Sequence, residues 1–468
     1  MPGAVAGAVG DPVEGLAEAL AAVDAFDRAL CGGLLRPRPE EADALAEFAR
    51  SLAGTPLGVR VGEAAEKAAV GAASEDHFLA LAAARGALLG SVHDALLIRA
   101  DDIAGRSRDT DPDPLTAPAE APAPNVLAAA RSWLGDLARA GWQGIDHDVI
   151  SGAAQVVSAM LPDPALRRLA TLLDGFAAEL AASCPGATLE RIPARRWADL
   201  WSRAMLLTVP GAATAPSTGT ATGRLLPLGI DVHEHATAAQ AQVHAVFEPA
   251  DGSTPRLVRA GVAVPKPDTV VGAGVWQLMR PHLSLLAAVS EGRAMELTGM
   301  PVTAEGDLIW SDAHASAAEP ADAFATARVA LPTATVAATA PLDRHPARIA
   351  VPVFLEGYAS EGGGEEPLTF TVAGTPIAVD TDRVPTAGPL TPEAVAASRA
   401  CIGLVRWDAG AFRLQPLAVE TTVRKKSVTV HAGGWAGGSD GKGGAKAEKA
   451  ATDAVAALRE RAGRLLRK

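Results

Sequence analysis

Asp231, His233 and His235 are the residues whose types and spacing most suggest chemistry. They stand in the run LPLGIDVHEH, Leu226 to His235. Alternate residues of an extended strand share one face, so a carboxylate and two imidazoles there would converge. That donor set suits a divalent cation. The plain alternative is a strand face whose polar groups are solvated or hydrogen-bonded to one another. His244, His282, His314, His345 and His431 are scattered and add no comparable spacing.

The same run resembles the Asp-x-His-x-His of the first barrel strand of amidohydrolases, in which two histidines ligate catalytic metal. The resemblance implies a metal-dependent hydrolase using Asp231, His233 and His235. That family also requires a β/α barrel with Lys, His and Asp ligands at later strand ends, and the sequence that follows lacks alternating strands and helices.

Other motifs are weaker. VVGAGVWQ, Val270 to Gln277, offers Gly272 and Gly274 before a helix, but Gln277 occupies the third glycine position of a dinucleotide fingerprint and no βαβ pattern surrounds it. Gly441 and Lys442 lack both the first glycine and the Ser or Thr of a phosphate-binding loop. Cys31, Cys184 and Cys401 are far apart, with no C-x-x-C spacing, and read as reduced, unreactive thiols. No cofactor and no catalytic residue follow from these motifs.

The elements that must position these residues fall into two unlike halves. Residues 1–208 carry apolar stripes at helical spacing and predict an all-α domain of seven to nine helices, broken by an exposed Pro-rich loop at 106–124. Its last helix, within Ile192 to Pro210, places Trp197, Leu200, Trp201, Ala204 and Met205 on one stripe. It reads as the wall facing the second half; Trp197 and Trp201 read first as core, and, with Arg195 and Arg196 beside them, alternatively as the frame of an interface. Residues 209–223, including GAATAPSTGTATG, have the composition of a linker.

Residues 224–432 show short β-branched runs between turn signals, among them Leu225 to Val232, Gln242 to Glu248, Leu257 to Val264 and Ala327 to Ala338. Ile402 to Trp407 and Phe412 to Val419 form the clearest hairpin. One helix, Gly274 to Ser290, interrupts a mainly antiparallel β domain. The expected class is therefore α+β and multidomain.

Residues 433–445 form a Gly-rich tether and residues 446–468 a basic amphipathic helix. Val455, Leu458, Arg459 and Leu465 are its candidate docking residues. Seven Lys or Arg against three Asp or Glu give that helix +4, so the rest of a chain of net charge −12 carries −16. Such a balance argues against nucleic-acid binding by the surface as a whole. The first residues lack the basic and apolar character of a signal peptide, and the least charged stretch, Val329 to Leu342, is too short for a bilayer. A cytoplasmic protein without a membrane span is expected.

RRWADLW in a helical half, followed by LLPLGIDVHEHATAAQAQVHAVF, resembles uncharacterised accessory proteins of high-GC bacteria. These are associated with gene neighbourhoods of MoxR-type AAA ATPases, von Willebrand A domain proteins and SWIM proteins. The chain carries no Walker A motif, no D-x-S-x-S site and no SWIM spacing of Cys and His. The resemblance implies a scaffold or adaptor with a protein partner, such as a MoxR-type ATPase or a von Willebrand A domain protein, and transfers no catalytic residue.

Overall fold

The computed structural model describes residues 13–104, 124–212, 218–280, 283–364, 366–423, 426–437 and 442–465. Residues 106–123 of the Pro-rich stretch, 213–217 of the expected linker and the 438–441 part of the tether lie outside the described residues.

The helical half comprises α1 (Leu16–Gly32), α2 (Pro39–Arg50), α3 (Gly58–Ala69), α4 (Glu75–Ala104), α5 (Pro124–Ala140), α6 (His147–Met160), α7 (Arg167–Ala182) and α8 (Ala194–Leu207). Helix starts follow local chemistry. Asp146 caps α6 by accepting from the Val149 amide, and Asp163, followed by Pro164, caps the turn that leads into α7.

Large rings fill the core. Trp142 meets Trp197 and Phe176 edge-on, with centroids 6.1 and 6.2 Å away, and Phe26 stacks on Phe48 at 4.6 Å. Trp197 and Trp201 are 1% and 0% exposed, so the tryptophan stripe of α8 faces inward. The expected interface through these two residues is thus corrected: burying two indoles stabilises the helical core more than an exposed wall could offset.

The helix that joins the halves is α4. Phe78, Leu81 and Leu88 belong to the helical core, whereas Val92, Leu96, Leu97 and Ala100 of the same helix enter the core of the β half. Burial of an aliphatic side chain of this size contributes about 1.5–3 kcal/mol. The helix is long and apolar enough by composition to cross a bilayer, and 56% of that window is buried within the fold.

The β half holds two five-stranded barrels of one topology. In the first, β1 (Thr218–Glu234), β2 (Ala238–Pro249) and β3 (Arg256–Pro265) run antiparallel. Two helices, α9 (Val275–Leu278) and α10 (Leu283–Glu291), lead to β4 (Arg293–Thr303) and β5 (Asp307–Leu308). β5 pairs parallel with β3, and β4 pairs with both β5 and β1, which closes the ring. β6 (Ala315–Pro320) extends β4, and α11 (Ala323–Val329) packs on β1.

In the second barrel the first strand is split into β7 (Val351–Glu356) and β8 (Ala359–Gly363). There follow β9 (Glu366–Val372), β10 (Thr375–Val379), a short helix α12 (Pro392–Ala396), β11 (Ser398–Asp408), β12 (Ala411–Val423) and β13 (Lys426–His431). Again the third strand, β10, pairs parallel with the fifth, β12, and the fourth, β11, pairs with the first, β7. Strand order 1-2-3-5-4-1 with a helix before the fourth strand is that of an OB-type Greek-key barrel.

Three expectations need correction. Thr218 to Gly223, read as linker, pairs with β4 as the start of β1, because small residues lie flat in a ladder whatever their flexibility elsewhere. Ala327 to Ala338 is not a strand. Asp322 caps α11 through the Phe324 amide, Phe324 and Ala327 supply its buried face, and β pairing is confined to isolated bridging at residues 335 and 336, with Arg256 opposite Thr335. The Gly274 to Ser290 helix is two helices, with Pro281 falling in the sequence between them.

Candidate functional site

β1 ends at the seam between the two barrels. Gly229 brings it there: a Cβ on this residue would lie 2.8 Å from Cβ of Leu417 on β12, so only hydrogen permits the approach. Two residues on, Asp231 is 1% exposed and accepts from Arg406 Nη2 at 2.6 Å and from Gln415 Nε2 at 2.7 Å. Both donors belong to the second barrel. Arg406 Nε also donates to Gln415 Oε1, which fixes the pair of donors.

His233 is 36% exposed, and its Nε2 lies 2.8 Å from Asp231 Oδ2. Burial pushes the Asp231 carboxyl up, but the His233 hydrogen bond, the Arg406 charge and the Gln415 amide outweigh it and hold the group well below the usual carboxylate range. An ionised Asp231 accepts from His233 Nε2.

Asp231, His233 and His235 do line one cleft, of about 300 Å³, together with Glu234, Arg383 and Thr386. The expected cation site does not fit the donors. Asp231 is engaged by a guanidinium, an amide and an imidazole, and Arg406 would repel a cation placed beside it. Glu234 is also in use, accepting from the Gly272 amide at 3.1 Å and lying 3.5 Å from Lys266 Nζ. Among the described residues no group of three or more His, Cys, Asp or Glu is arranged to hold a metal. The dyad could position a proton at Nδ1, but of the side chains lining the cleft only Thr386 carries a hydroxyl and none carries a thiol.

His244 is buried one strand over, opposite Gly229, with Nε2 unpartnered; burial lowers its pKa to about 3, so the ring is neutral. Cys31 is pushed up to about 11 by burial, and burial raises Cys401 as well, which removes thiolate chemistry at neutral pH. The second and third strands of each barrel carry no tryptophan or tyrosine, and Phe247 and Phe370 on them are buried.

The expected interaction residues divide. Arg195 pairs with Asp24, and Arg196 holds Glu179 through two bonds of 2.7 and 2.9 Å. Trp197 Nε1 donates to the same Glu179, so these arginines frame the aromatic core. The C-terminal helix α13 (Lys442–Leu465) seats on its own body. Ala454 is buried, Ala450 approaches Gly274, and Arg461 binds Asp268 at 2.7 Å. Val455, Leu458 and Leu465 are 46%, 38% and 75% exposed on an adjoining face, and Arg459 is exposed beside them.

Arg406 and Gln415, the residues that decide what Asp231 does, carried no signal in sequence because they lie 175 and 184 residues away. Comparison of the chain with protein-family models, with curated proteins and with solved structures finds no match. The barrel topology alone assigns no activity.

Proposed function

We propose that the protein is a non-enzymatic scaffold or adaptor of a cytoplasmic bacterial assembly, engaging a partner protein through the outer face of α13. The observation that carries this reading is the stripe Val455, Leu458, Ala462 and Leu465, apolar and still partly exposed, at 46%, 38% and 75% for Val455, Leu458 and Leu465, although the helix is already seated through Ala454. An apolar stripe on a segment, 446–468, of charge +4 suits a groove with an acidic rim. The other groups with chemical character, Asp231 above all, serve as ties between elements.

The partner class comes from the sequence resemblance: a MoxR-type ATPase or a von Willebrand A domain protein of the same organism. Purified full-length chain should bind one of these two proteins in a pairwise assay, and V455D/L458D/L465D should abolish the interaction without altering the melting temperature. Absence of binding to both, or binding that the triple variant leaves unchanged, refutes the reading.

A further inference from the structure

A second cleft, of about 690 Å³, opens where the helical half meets the barrels. One wall is α4, which presents Ala83, Gly86, Ala87 and Gly90; the others are α8 and the segment 341–348. The small residues make the space. A Cβ on Gly86 would already meet Leu206 at 3.4 Å, and one on Gly90 would meet Arg344 at 3.6 Å, so larger side chains on this face of α4 would fill the cleft. Leu89, Leu200, Leu206 and Leu342 supply an apolar lining.

The polar groups are unevenly matched along it. At one end Arg85, 2% exposed, is held by two carboxylates: Nε and Nη2 bind Asp27 at 2.7 and 2.8 Å, and Nη1 binds Asp199 at 2.6 Å. Two carboxylates face one guanidinium there, with His345 Nε2 3.3 Å from Asp199. At the other end the ratio reverses. Arg203 Nη2 and Arg348 Nη1 share one oxygen of Asp343, at 2.6 and 2.7 Å. Arg348 is half exposed, and a planar guanidinium offers a fork of further N–H donors. Between the ends, Ser202 is 3% exposed, lines the cleft and has an Oγ with no hydrogen-bond partner.

We infer that this cleft binds a small amphipathic monoanion, its apolar body against Leu89, Leu200 and Leu206 and its carboxylate on Arg348 and Arg203. An apolar lining with a few converging polar groups is what a small-molecule site of this size requires. The surplus carboxylate at the Arg85 end repels an anion, and the surplus guanidinium at the Asp343 end attracts one, so the charge pattern orients the ligand. This inference is independent of the α13 reading.

The test is calorimetric titration of the full chain with two probes of one shape, 2-naphthoate and the neutral 2-naphthamide. The carboxylate should bind one to one and at least about tenfold more tightly than the amide, the range set by a charge-assisted hydrogen bond. Arg348→Gln, at a half-exposed position, should bring the two probes to nearly equal affinity. Ala87→Trp, at an exposed lining residue, should remove both, with circular dichroism and melting temperature unchanged in each variant. No saturable binding of 2-naphthoate up to millimolar concentration, or a carboxylate preference that survives Arg348→Gln, or binding that survives Ala87→Trp, overturns the inference.

Discussion

Arg406 Nη2 in the second barrel donates to Asp231 Oδ2 in the first at 2.6 Å, across 175 residues of chain. Asp231 is 1% exposed and Arg406 11%, so neither charge can fall back on water if the other is removed. The bond therefore works as a tie between barrels, and the strand motif that most suggested catalysis owes its polar residues to that seam.

Removal of one partner should consequently be costly. Asp231→Asn keeps the shape of the side chain and leaves Arg406 as an uncompensated, largely buried cation, for which a loss of about 3–5 kcal/mol is expected. Replacing both, as Asp231→Leu with Arg406→Leu, should cost less than the single change. Urea denaturation monitored by circular dichroism measures both; an Asp231→Asn chain as stable as the wild type would show that the tie contributes nothing.

Acid sensitivity should begin with histidine, not aspartate. His244 is neutral in the fold, its pKa lowered by burial to about 3, and burial also lowers His431. An unfolded chain binds protons on histidine below about pH 6.5, so this stability is complete above that value and falls as pH drops, on the order of 1 kcal/mol per unit for each histidine. Asp231 has a window of the same sign at lower pH. Its folded pKa lies below the unfolded value of about 3.9, so its contribution is full above that pH and is lost only below it. Urea midpoints from pH 7 to 4.5 should fall in the wild type and fall less steeply in His244→Gln; an identical slope would assign the loss elsewhere.

The contrast between what periodicity reveals and what it hides is clear at these residues. Val23, Phe26 and Leu30, spaced for one helix face, are buried together, and the hairpin forms around Ala409 and Gly410, both with positive φ, which suits Gly410 and which the strand pairing imposes on Ala409. Asp231, His233 and His235 do share a cleft, as strand alternation implies. Their partners were invisible because Arg406 and Gln415 join them only through tertiary contact. The repeated barrel was hidden for a related reason: the topology is set by which strands pair, including the parallel β3–β5 and β10–β12 contacts, and strand order leaves no periodic trace in sequence. Trp197 and Trp201 show the remaining ambiguity, since an aromatic stripe beside arginines reads alike whether it faces a core or a partner.

Gly229 offers a steric test of the same seam. A methyl group there would sit 2.8 Å from Cβ and 3.2 Å from Cδ1 of Leu417, so Gly229→Ala must push β1 and β12 apart. Overpacking of this kind costs about 1–3 kcal/mol. Leu417→Gly alone leaves a cavity, but it removes the Cβ that the new methyl would meet, so combined with Gly229→Ala it should recover part of the loss, giving a coupling of at least about 0.5 kcal/mol in a double-mutant cycle. Strict additivity would mean that the two side chains do not meet.

The seating of α13 separates small-residue packing from charge. Arg461 and Asp268 are each 58% exposed, so Arg461→Ala should loosen the helix by no more than about 1 kcal/mol. Ala454 is 4% exposed, and Ala454→Glu would place a carboxylate between the helix and its seat near Gly272–Gly274. Hydrogen exchange read by mass spectrometry should show the amides of Lys449 to Arg461 protected in the wild type, nearly as protected in Arg461→Ala, and exchanging freely in Ala454→Glu. Val455→Asp, at a 46% exposed position, should leave protection unchanged, because surface substitutions stay within about 0.5 kcal/mol. If Val455→Asp instead releases the helix, its apolar stripe is part of the internal seat, and the surface assigned to a partner is already in use.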